Sequence, residues 1–346
     1  ALAAALPADV ISAKRSIVTW INMEKPSEKP FHESAKAMID ILQGDARERA
    51  QKAYEESRPQ IDEMFAIQDD MVEAGVRAAV FALDPGVSGS ESPDNADAPA
   101  AEASTDDQQA SQQVFFMIRP GTSPQQAILD GFVKIQQINA EQNAQAGEDA
   151  DENKFDPSKI KFVEIDDQWL AMVGDKAAPL IAEGEPALDT DKYVAALKRE
   201  KDAVIRMAWV MNEEAKVALR EQMSSGMGAM FLSSVLMPMQ QMQDATGGIW
   251  LGSQPKGRIA FNFDSNTSAQ QFKSGVDSLT MMMGNLMAMG AKNSPDAQAE
   301  RKKIQTAMAL IMPDLNDTSV EKTVHLEMLK KMADAGMPWI GKEDDQ

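Results

Sequence analysis

The chain of 346 residues is long enough to bury a sizeable core and to form two substructures. It carries 34 lysines and arginines against 54 aspartates and glutamates, and the formal charge of −20 repels phosphates and anionic lipid headgroups. Because cysteine is absent, thiolate catalysis, disulfides and zinc fingers are excluded. We therefore expect no nucleic-acid partner, and no segment reaches the roughly 18 uninterrupted apolar residues of a membrane span.

The first half is predicted to alternate strands and helices. Period-two alternation at residues 17–23 indicates a half-buried strand, and Gly75 is expected to end a long helix. Asp166-Asp167-Gln168 separates two strands that form a hairpin. In chain order we expect strands at 17–23, 76–83, 114–118, 160–165 and 169–173, and helices at 33–43, 47–73 and 123–137.

Two polar insertions interrupt this half. Residues 84–112 contain Pro, Gly, Ser, Asp and Ala with Val87 as the one large apolar residue, so they cannot bury enough surface and are expected to be disordered. A second polar insertion is predicted at residues 139–153.

The second half, after a linker-like stretch at residues 179–186, repeats the alternation with methionine-rich helices. We divide the chain into residues 1–184 and 185–346. The expected helices are 191–200, 213–242, 268–289 and 295–311, and the expected strands are 203–211, 249–251, 258–263 and 320–329.

Short matches between the halves indicate an internal duplication. Thr122-Ser123-Pro124-Gln125-Gln126 follows the strand residues Phe116 and Ile118, as Thr267-Ser268-Ala269-Gln270-Gln271 follows Phe261 and Phe263 at the same spacing. The predicted fold is α+β, with two related halves that each form a split βαβ-like (ferredoxin-like) antiparallel sheet with elaborated helices.

The T-S-x-Q-Q motif is interpreted as a helix start. Ser123 and Ser268 are placed to cap their helices, with Gln126 and Gln271 at the third helical position of a capping box. The motif would then recur for folding reasons and without shared chemistry.

The N-terminal sequence indicates export. The chain begins Ala1-Leu2-Ala3, as a mature product would after signal-peptide cleavage. Leu6-Pro7-Ala8-Asp9, which leads into an alternating strand, resembles a loose class of uncharacterised exported bacterial α+β proteins that open L-P-A-D and repeat one half. The resemblance implies a periplasmic or secreted location and brings no catalytic residues.

Catalytic motifs are incomplete throughout the sequence. His32-Glu33 has Lys36 where H-E-x-x-H needs a second histidine, and His325 is expected to point outward from a strand. Gly336–Lys342 has the outline of a phosphate-binding loop but is followed by Glu343 in place of Ser or Thr. No nucleophile elbow is present, since Gly86–Ser90 lacks the final glycine.

Metal-binding patterns are also incomplete. Asp149, Asp151 and Asn153 have the spacing of a calcium loop, but Lys154 occupies the glycine position. The adjacent acids at 69–70, 166–167 and 213–214 diverge on helices or strands and do not form acid/base pairs. We predict no catalytic, cofactor-binding or metal-binding residues.

Methionine is the compositional anomaly, with 24 residues, of which 18 lie from Met207 onward. Three interpretations are open: adaptable core packing, a methionine-lined groove for a partner or lipid, and Cu(I) ligation by residues such as Met227 and Met230.

The sequence therefore predicts a non-catalytic exported binding or structural protein, with an unknown protein or small ligand as partner. Two alternatives stay open: a hydrolase whose carboxylates converge in the fold, and methionine-based metal handling. An extended groove without convergent titratable groups would favour binding, and a deep pocket with two carboxyl groups would favour the enzyme.

Overall fold

The computed structural model describes residue 6 and residues 17–24, 28–83, 113–146, 156–174, 190–213, 215–217, 220, 228–290 and 297–334. The chain forms two compact units, one of residues 1–28 and 57–198 and one of residues 29–56 and 199–346. The predicted insertion at 84–112 and the predicted boundary at 184/185 lie outside the described residues. The boundary therefore stays a prediction.

The first unit contains a five-stranded antiparallel sheet in the order β4-β5-β3-β2-β1. Its central strands are rich in β-branched and aromatic residues, which suit a sheet that is buried on both faces. Edge strand β4 instead alternates between half-buried and exposed residues. The strands are β1 (Ile17–Asn22), β2 (Val76–Leu83), β3 (Gln113–Ile118), β4 (Ile160–Asp166) and β5 (Trp169–Gly174).

Helices pack an apolar core against one face of this sheet. Ile67 and Met71 of α2 and Ile128 of α3 join Phe116 and Leu170 of the strands in one cluster. Gly75 follows the end of α2 with a φ of 115°, a conformation that glycine adopts without strain, so the predicted helix stop is confirmed. The helices introduced here are α1 (Glu28–Asp40), α2 (Gly44–Glu73), α3 (Gln125–Ala146) and α4 (Thr190–Arg199).

The second unit contains another five-stranded antiparallel sheet, in the order β6-β7-β8-β10-β9. One face is apolar: Ala245, Phe261 and Val320 lie side by side in the register and join the core. The opposite face carries Thr246, Ala260 and Glu321 in the neighbouring row and is polar. The strands are β6 (Ile205–Val210), β7 (Met242–Trp250), β8 (Lys256–Phe263), β9 (Asp314–Asn316) and β10 (Ser319–His325).

Two helices cover the apolar face of the second sheet. Val235 and Leu236 of α5, with Phe272 and Val276 of α6, pack on the strand residues. Ser34 of α1, which belongs to this unit, exchanges hydrogen bonds with the backbone of Gly252 at the β7–β8 turn. The remaining helices are α5 (Gly228–Met239), α6 (Asn266–Gly290), α7 (Ala297–Ile311) and α8 (Leu326–Asp334).

The α+β class and the antiparallel sheets are confirmed, but the split βαβ order is wrong. That order places two parallel strands side by side, whereas the four strand pairs of each sheet are all antiparallel. In each unit the helical connection after the third strand leads to the edge strand. A tight hairpin then folds the last strand back beside the third, which makes that pair antiparallel.

Several predicted elements differ in extent. Residues 139–146, predicted as a polar insertion, continue α3, because Ala, Gln and Glu favour a helix. Strand β7 begins at Met242, within a predicted helix, although its Gly247-Gly248 pair is a poor strand former. The last strand ends at His325, and residues 326–329, predicted as strand, begin α8.

Among the described residues, no helix combines the length and the apolar character that crossing a membrane requires.

The imidazole of His325 caps α8, and its removal should loosen that helix. The backbone N–H of Met328 donates to Nδ1 of His325 at 3.2 Å, and Met328 is buried against α7. We expect His325→Ala to lower the free energy of unfolding by about 0.5–2 kcal/mol, as loss of a cap does, measured by urea denaturation. His325→Asn retains a capping oxygen and should keep most of the stability. Equal stability of the alanine variant and the parent would contradict the capping role.

Candidate functional site

A groove of about 720 Å³ lies between α5 and α6 of the second unit. Among the described residues, its walls carry hydroxyl and amide side chains and no titratable group. Helix α5 contributes Ser233, Ser234, Met237 and Pro238. Helix α6 contributes Thr267, Gln270, Gln271, Ser274, Gly275 and Ser278.

Helical spacing separates the two faces of α6. Ala269, Phe272 and Val276 pack into the core, whereas Thr267, Gln271 and Ser274 line the groove. These sets recur at intervals of three and four residues, so one helix supplies both the core contact and the groove wall.

Gly275 brings the two helices into close contact. A Cβ placed on Gly275 would lie 2.3 Å from the carbonyl oxygen of Ser234 and 2.7 Å from its carbonyl carbon. Because both atoms belong to backbone, no side-chain rotation relieves that clash. Glycine at position 275 therefore sets the helix separation that defines the groove.

A buried serine fixes the first turn of α6 beneath the groove. Ser268 is 1% exposed, and its hydroxyl lies within hydrogen-bond distance of Gln241, of Asp264 at 3.1 Å and of Ser265 at 2.7 Å. The neighbouring residues of the T-S-x-Q-Q motif, Thr267 and Gln271, are thereby held at the groove wall.

The prediction that Ser123 and Ser268 both cap helices is wrong. The cap of α6 is Ser265, whose hydroxyl oxygen accepts a bond from the Ser268 backbone at 3.2 Å, so Ser268 lies inside the helix. In α3 the first helical bond runs to the Pro124 carbonyl, which leaves exposed Ser123 outside the cap position. The first T-S-x-Q-Q motif thus contains the start of α3, whereas the second motif lies after the start of α6. The adjacent sequence does not reveal this difference in position.

Three groove side chains are available to a ligand. Within the described part of the chain, the side chains of Thr267, Gln271 and Ser274 have no hydrogen-bond partner. Gln270 donates to Asn266 at 2.7 Å and keeps its carbonyl oxygen as an acceptor. Because a hydroxyl and a primary amide each donate and accept, this wall complements a ligand with both kinds of group.

A second cavity, of about 440 Å³, lies between α2 and α3 of the first unit. It differs from the groove in being charged: Lys134 pairs with Asp70 at 3.5 Å, and Asp130 accepts a bond from Gln126 at 2.8 Å. Asp70, Asp130 and Lys134 are all accessible to solvent, which screens their charges.

The polar face of the second sheet carries a buried ionic network. Glu200 is fully buried, and its Oε1 accepts from Thr246 at 2.7 Å and from Arg258 at 2.9 Å. Arg258 also donates to Glu321. Asp244, 10% exposed, accepts two bonds from Arg199 and one from Asn262.

The surroundings of two arginines at this network shift their pKa values. Burial lowers the pKa of Arg258, but its hydrogen bond to Glu321 and the charges of Glu200 and Glu321 outweigh that effect, and the net shift is upward. Burial also lowers the pKa of Arg206. The negative charges of Asp202 and Glu200 act in the opposite direction but do not outweigh burial. Each carboxylate of the network is paired with an arginine, while Oε2 of Glu200 is buried without a hydrogen-bond partner.

The histidines and adjacent acids from the sequence have structural contacts. His32, on α1, lies 2.6 Å from the Tyr54 hydroxyl, and Asp166 accepts a bond from the Gln168 backbone at 2.8 Å. The hydrogen bond and charge of Lys216 lower the pKa of exposed Glu213. The predicted calcium-loop residues 149–153 and the loop 336–342 lie outside the described residues.

Eight of the described methionines are buried in cores, and six are exposed. Met237 is the one methionine among the groove residues, so the described groove is not methionine-lined. Met227 lies outside the described residues, and the Cu(I) alternative stays untested there. Buried examples are Met71, Met117, Met172, Met211, Met242, Met308, Met328 and Met332.

The groove has only a weak signal in the sequence. Serine, threonine and glutamine at three- and four-residue spacing mark any solvated helix face, and T-S-x-Q-Q is equally typical of a cap. The local hint is a glycine in the helix interior, which costs stability unless close packing requires it, but α6 has two such positions, Gly275 and Gly284.

No family model, curated protein or solved structure matches this chain.

Gly275→Ala should destabilise the second unit in spite of the better helix propensity of alanine. The added methyl group meets the Ser234 backbone, and we expect a loss of about 1–3 kcal/mol by urea denaturation, as overpacking produces. Gly284→Ala is the matched control on α6, since its Cβ would lie 3.0 Å from the flexible side chain of Met308. A Gly275 variant as stable as the control would contradict the close helix contact.

Removal of the Arg258 charge should be far more costly than removal of an exposed arginine. Arg258→Met leaves Glu200 buried without its cation, and we expect a loss of about 3–5 kcal/mol in the free energy of unfolding. Arg47→Met breaks an exposed pair with Asp40 and should cost under about 1 kcal/mol. Similar losses in the two variants would show that the buried network does not stabilise the unit.

Proposed function

We propose that this chain is a non-catalytic binding protein and that its ligand lies in the groove between α5 and α6. The observation that carries the proposal is the groove wall: seven of the ten lining residues are Ser, Thr or Gln, and none is titratable. Its volume of about 720 Å³ falls in the range of small-molecule sites.

The chemistry of this wall supports binding over catalysis. A serine nucleophile needs a base within hydrogen-bond reach, and an acid/base mechanism needs a titratable group; the lining offers neither. The buried carboxylates Glu200 and Asp244 of the same unit are bonded to arginines on the polar sheet face. For the hydrolase alternative, the charged cavity offers the exposed carboxylates of Asp70 and Asp130.

Two further parts of the proposal concern origin and location. Duplication is supported by the shared strand order, since β1-β2-β3-β5-β4 and β6-β7-β8-β10-β9 place corresponding strands in corresponding positions.

Export is supported by the L-P-A-D resemblance and by the absence of cysteine. The binding site itself lies in the second unit.

Fragment binding followed by NMR tests the site, with small fragments in place of the unidentified ligand. Uncharged hydroxyl- and amide-bearing fragments, with amines and carboxylates for comparison, are titrated into the labelled full chain. We expect the neutral fragments to shift the side-chain amide signals of Gln270 and Gln271. Thr267→Val, which removes one hydroxyl from the groove, should weaken these shifts, and Thr280→Val, the same change on α6 outside the lining, should not.

Neutral fragments that bind elsewhere, or nowhere, would refute the proposed site. Turnover of ester or glycoside fragments that is lost in Asp130→Asn and retained in Thr267→Val would establish the hydrolase alternative instead.

A further inference from the structure

The described lining of the groove offers no counter-ion to a charged ligand. None of its ten lining residues is Asp, Glu, Lys, Arg or His, so a charged group would lose water without gaining a counter-ion. The formal charge of −20 adds long-range repulsion for anions. Phosphates, nucleotides and carboxylates therefore find no counter-ion among the described lining residues, and neutral ligands are favoured over them.

The common modes of peptide recognition do not fit these walls. Strand addition needs an open sheet edge, but both walls are helices whose backbone groups bond within the helix. A polyproline segment needs aromatic rings, and none of the described lining residues is aromatic. A docked amphipathic helix needs a continuous apolar stripe, whereas Ser, Thr and Gln side chains interrupt the apolar surface of the described lining.

A polyhydroxylated ligand matches the groups that remain. The Thr267 and Ser274 hydroxyls and the Gln271 amide can each donate and accept, as sugar hydroxyls do. Met237 is 62% exposed and, with Pro238, supplies the apolar surface on which the C–H face of a ring can rest. Met237 and Pro238 come from α5, and the hydroxyl and amide groups of Thr267, Gln271 and Ser274 come from α6.

From this complementarity we propose that the α5–α6 groove binds a neutral oligosaccharide. The proposal rests on the proposed binding function and specifies its ligand class. In this proposal Thr267, Gln271 and Ser274 hydrogen-bond the sugar hydroxyls. Ser268 positions the helix turn that carries Thr267 and Gln271, because its hydroxyl is hydrogen-bonded to Gln241 and Asp264.

Isothermal titration calorimetry on the full chain tests the ligand class with defined probes. The neutral probes are cellotetraose, maltotetraose, xylotetraose and tetra-N-acetylchitotetraose; the charged probes are tetragalacturonate and deacetylated chitotetraose, with a blocked uncharged tetrapeptide as a further arm. We expect a neutral tetrasaccharide to bind and the charged probes and peptide not to bind.

Three variants locate that binding. Thr267→Val should raise the Kd about three- to tenfold, as loss of one hydrogen bond does. Ser274→Leu fills the exposed wall and should raise the Kd by more than about tenfold, and Thr280→Val should leave it unchanged. Thermal unfolding of each variant confirms that it is folded.

The outcomes separate the two proposals. If uncharged fragments bind in the groove but no neutral oligosaccharide does, the ligand class is wrong and the binding function stands. Tighter binding of a charged oligosaccharide or of the peptide also overturns the ligand class. If neither fragments nor oligosaccharides bind in the groove, both proposals fail.

Discussion

The close approach of α5 and α6 at Gly275 is the constraint on which the candidate site depends. Backbone meets backbone there, because a Cβ would lie 2.3 Å from the Ser234 carbonyl oxygen. Helix α6 is held at its first turn by buried Ser268 and along its length by the packing of Phe272 and Val276 on the sheet. With both anchors fixed, the outward face of the helix pair has little freedom to close, so the groove is largely preformed. A preformed site loses less conformational entropy on binding.

The buried ionic network of the second unit lies on the sheet face opposite α5 and α6. The sheet has one apolar face beneath α5 and α6 and one polar face on which Glu200 and Glu321 share Arg258. The hydrogen bonds of Glu200 to Thr246 and Arg258 connect the turn at Glu200 to strands β7 and β8. Because Glu200 is buried, loss of the arginine would leave an unpaired charge in the protein interior. The described lining of the groove is uncharged although the chain has a formal charge of −20, and the Lys273–Asp277 ion pair lies beside it on α6.

Local sequence predicted the strands of the first unit closely, because apolar and β-branched residues at 76–83 and 169–173 have no other stable environment. Prediction failed where tertiary contacts override propensity. Strand β7 includes Gln243, Asp244 and two glycines, and it forms because β6 and β8 supply hydrogen bonds on both sides. The split βαβ order failed because strand pairing is non-local: the short edge strand β9, unrecognised in the sequence, gives β10 its antiparallel direction beside β8.

By itself the sequence determined the α+β class, the anionic surface, the lack of cysteine chemistry and the incomplete catalytic motifs, since each follows from residue types or from spacing within one element. Only the tertiary structure decided the groove, because its walls come from α5 and α6, which are separated in the chain by strands β7 and β8. The same holds for the roles of individual residues. Ser268 became a buried anchor, His325 a helix cap and Glu200 an ion-pair partner through contacts that the neighbouring sequence does not encode.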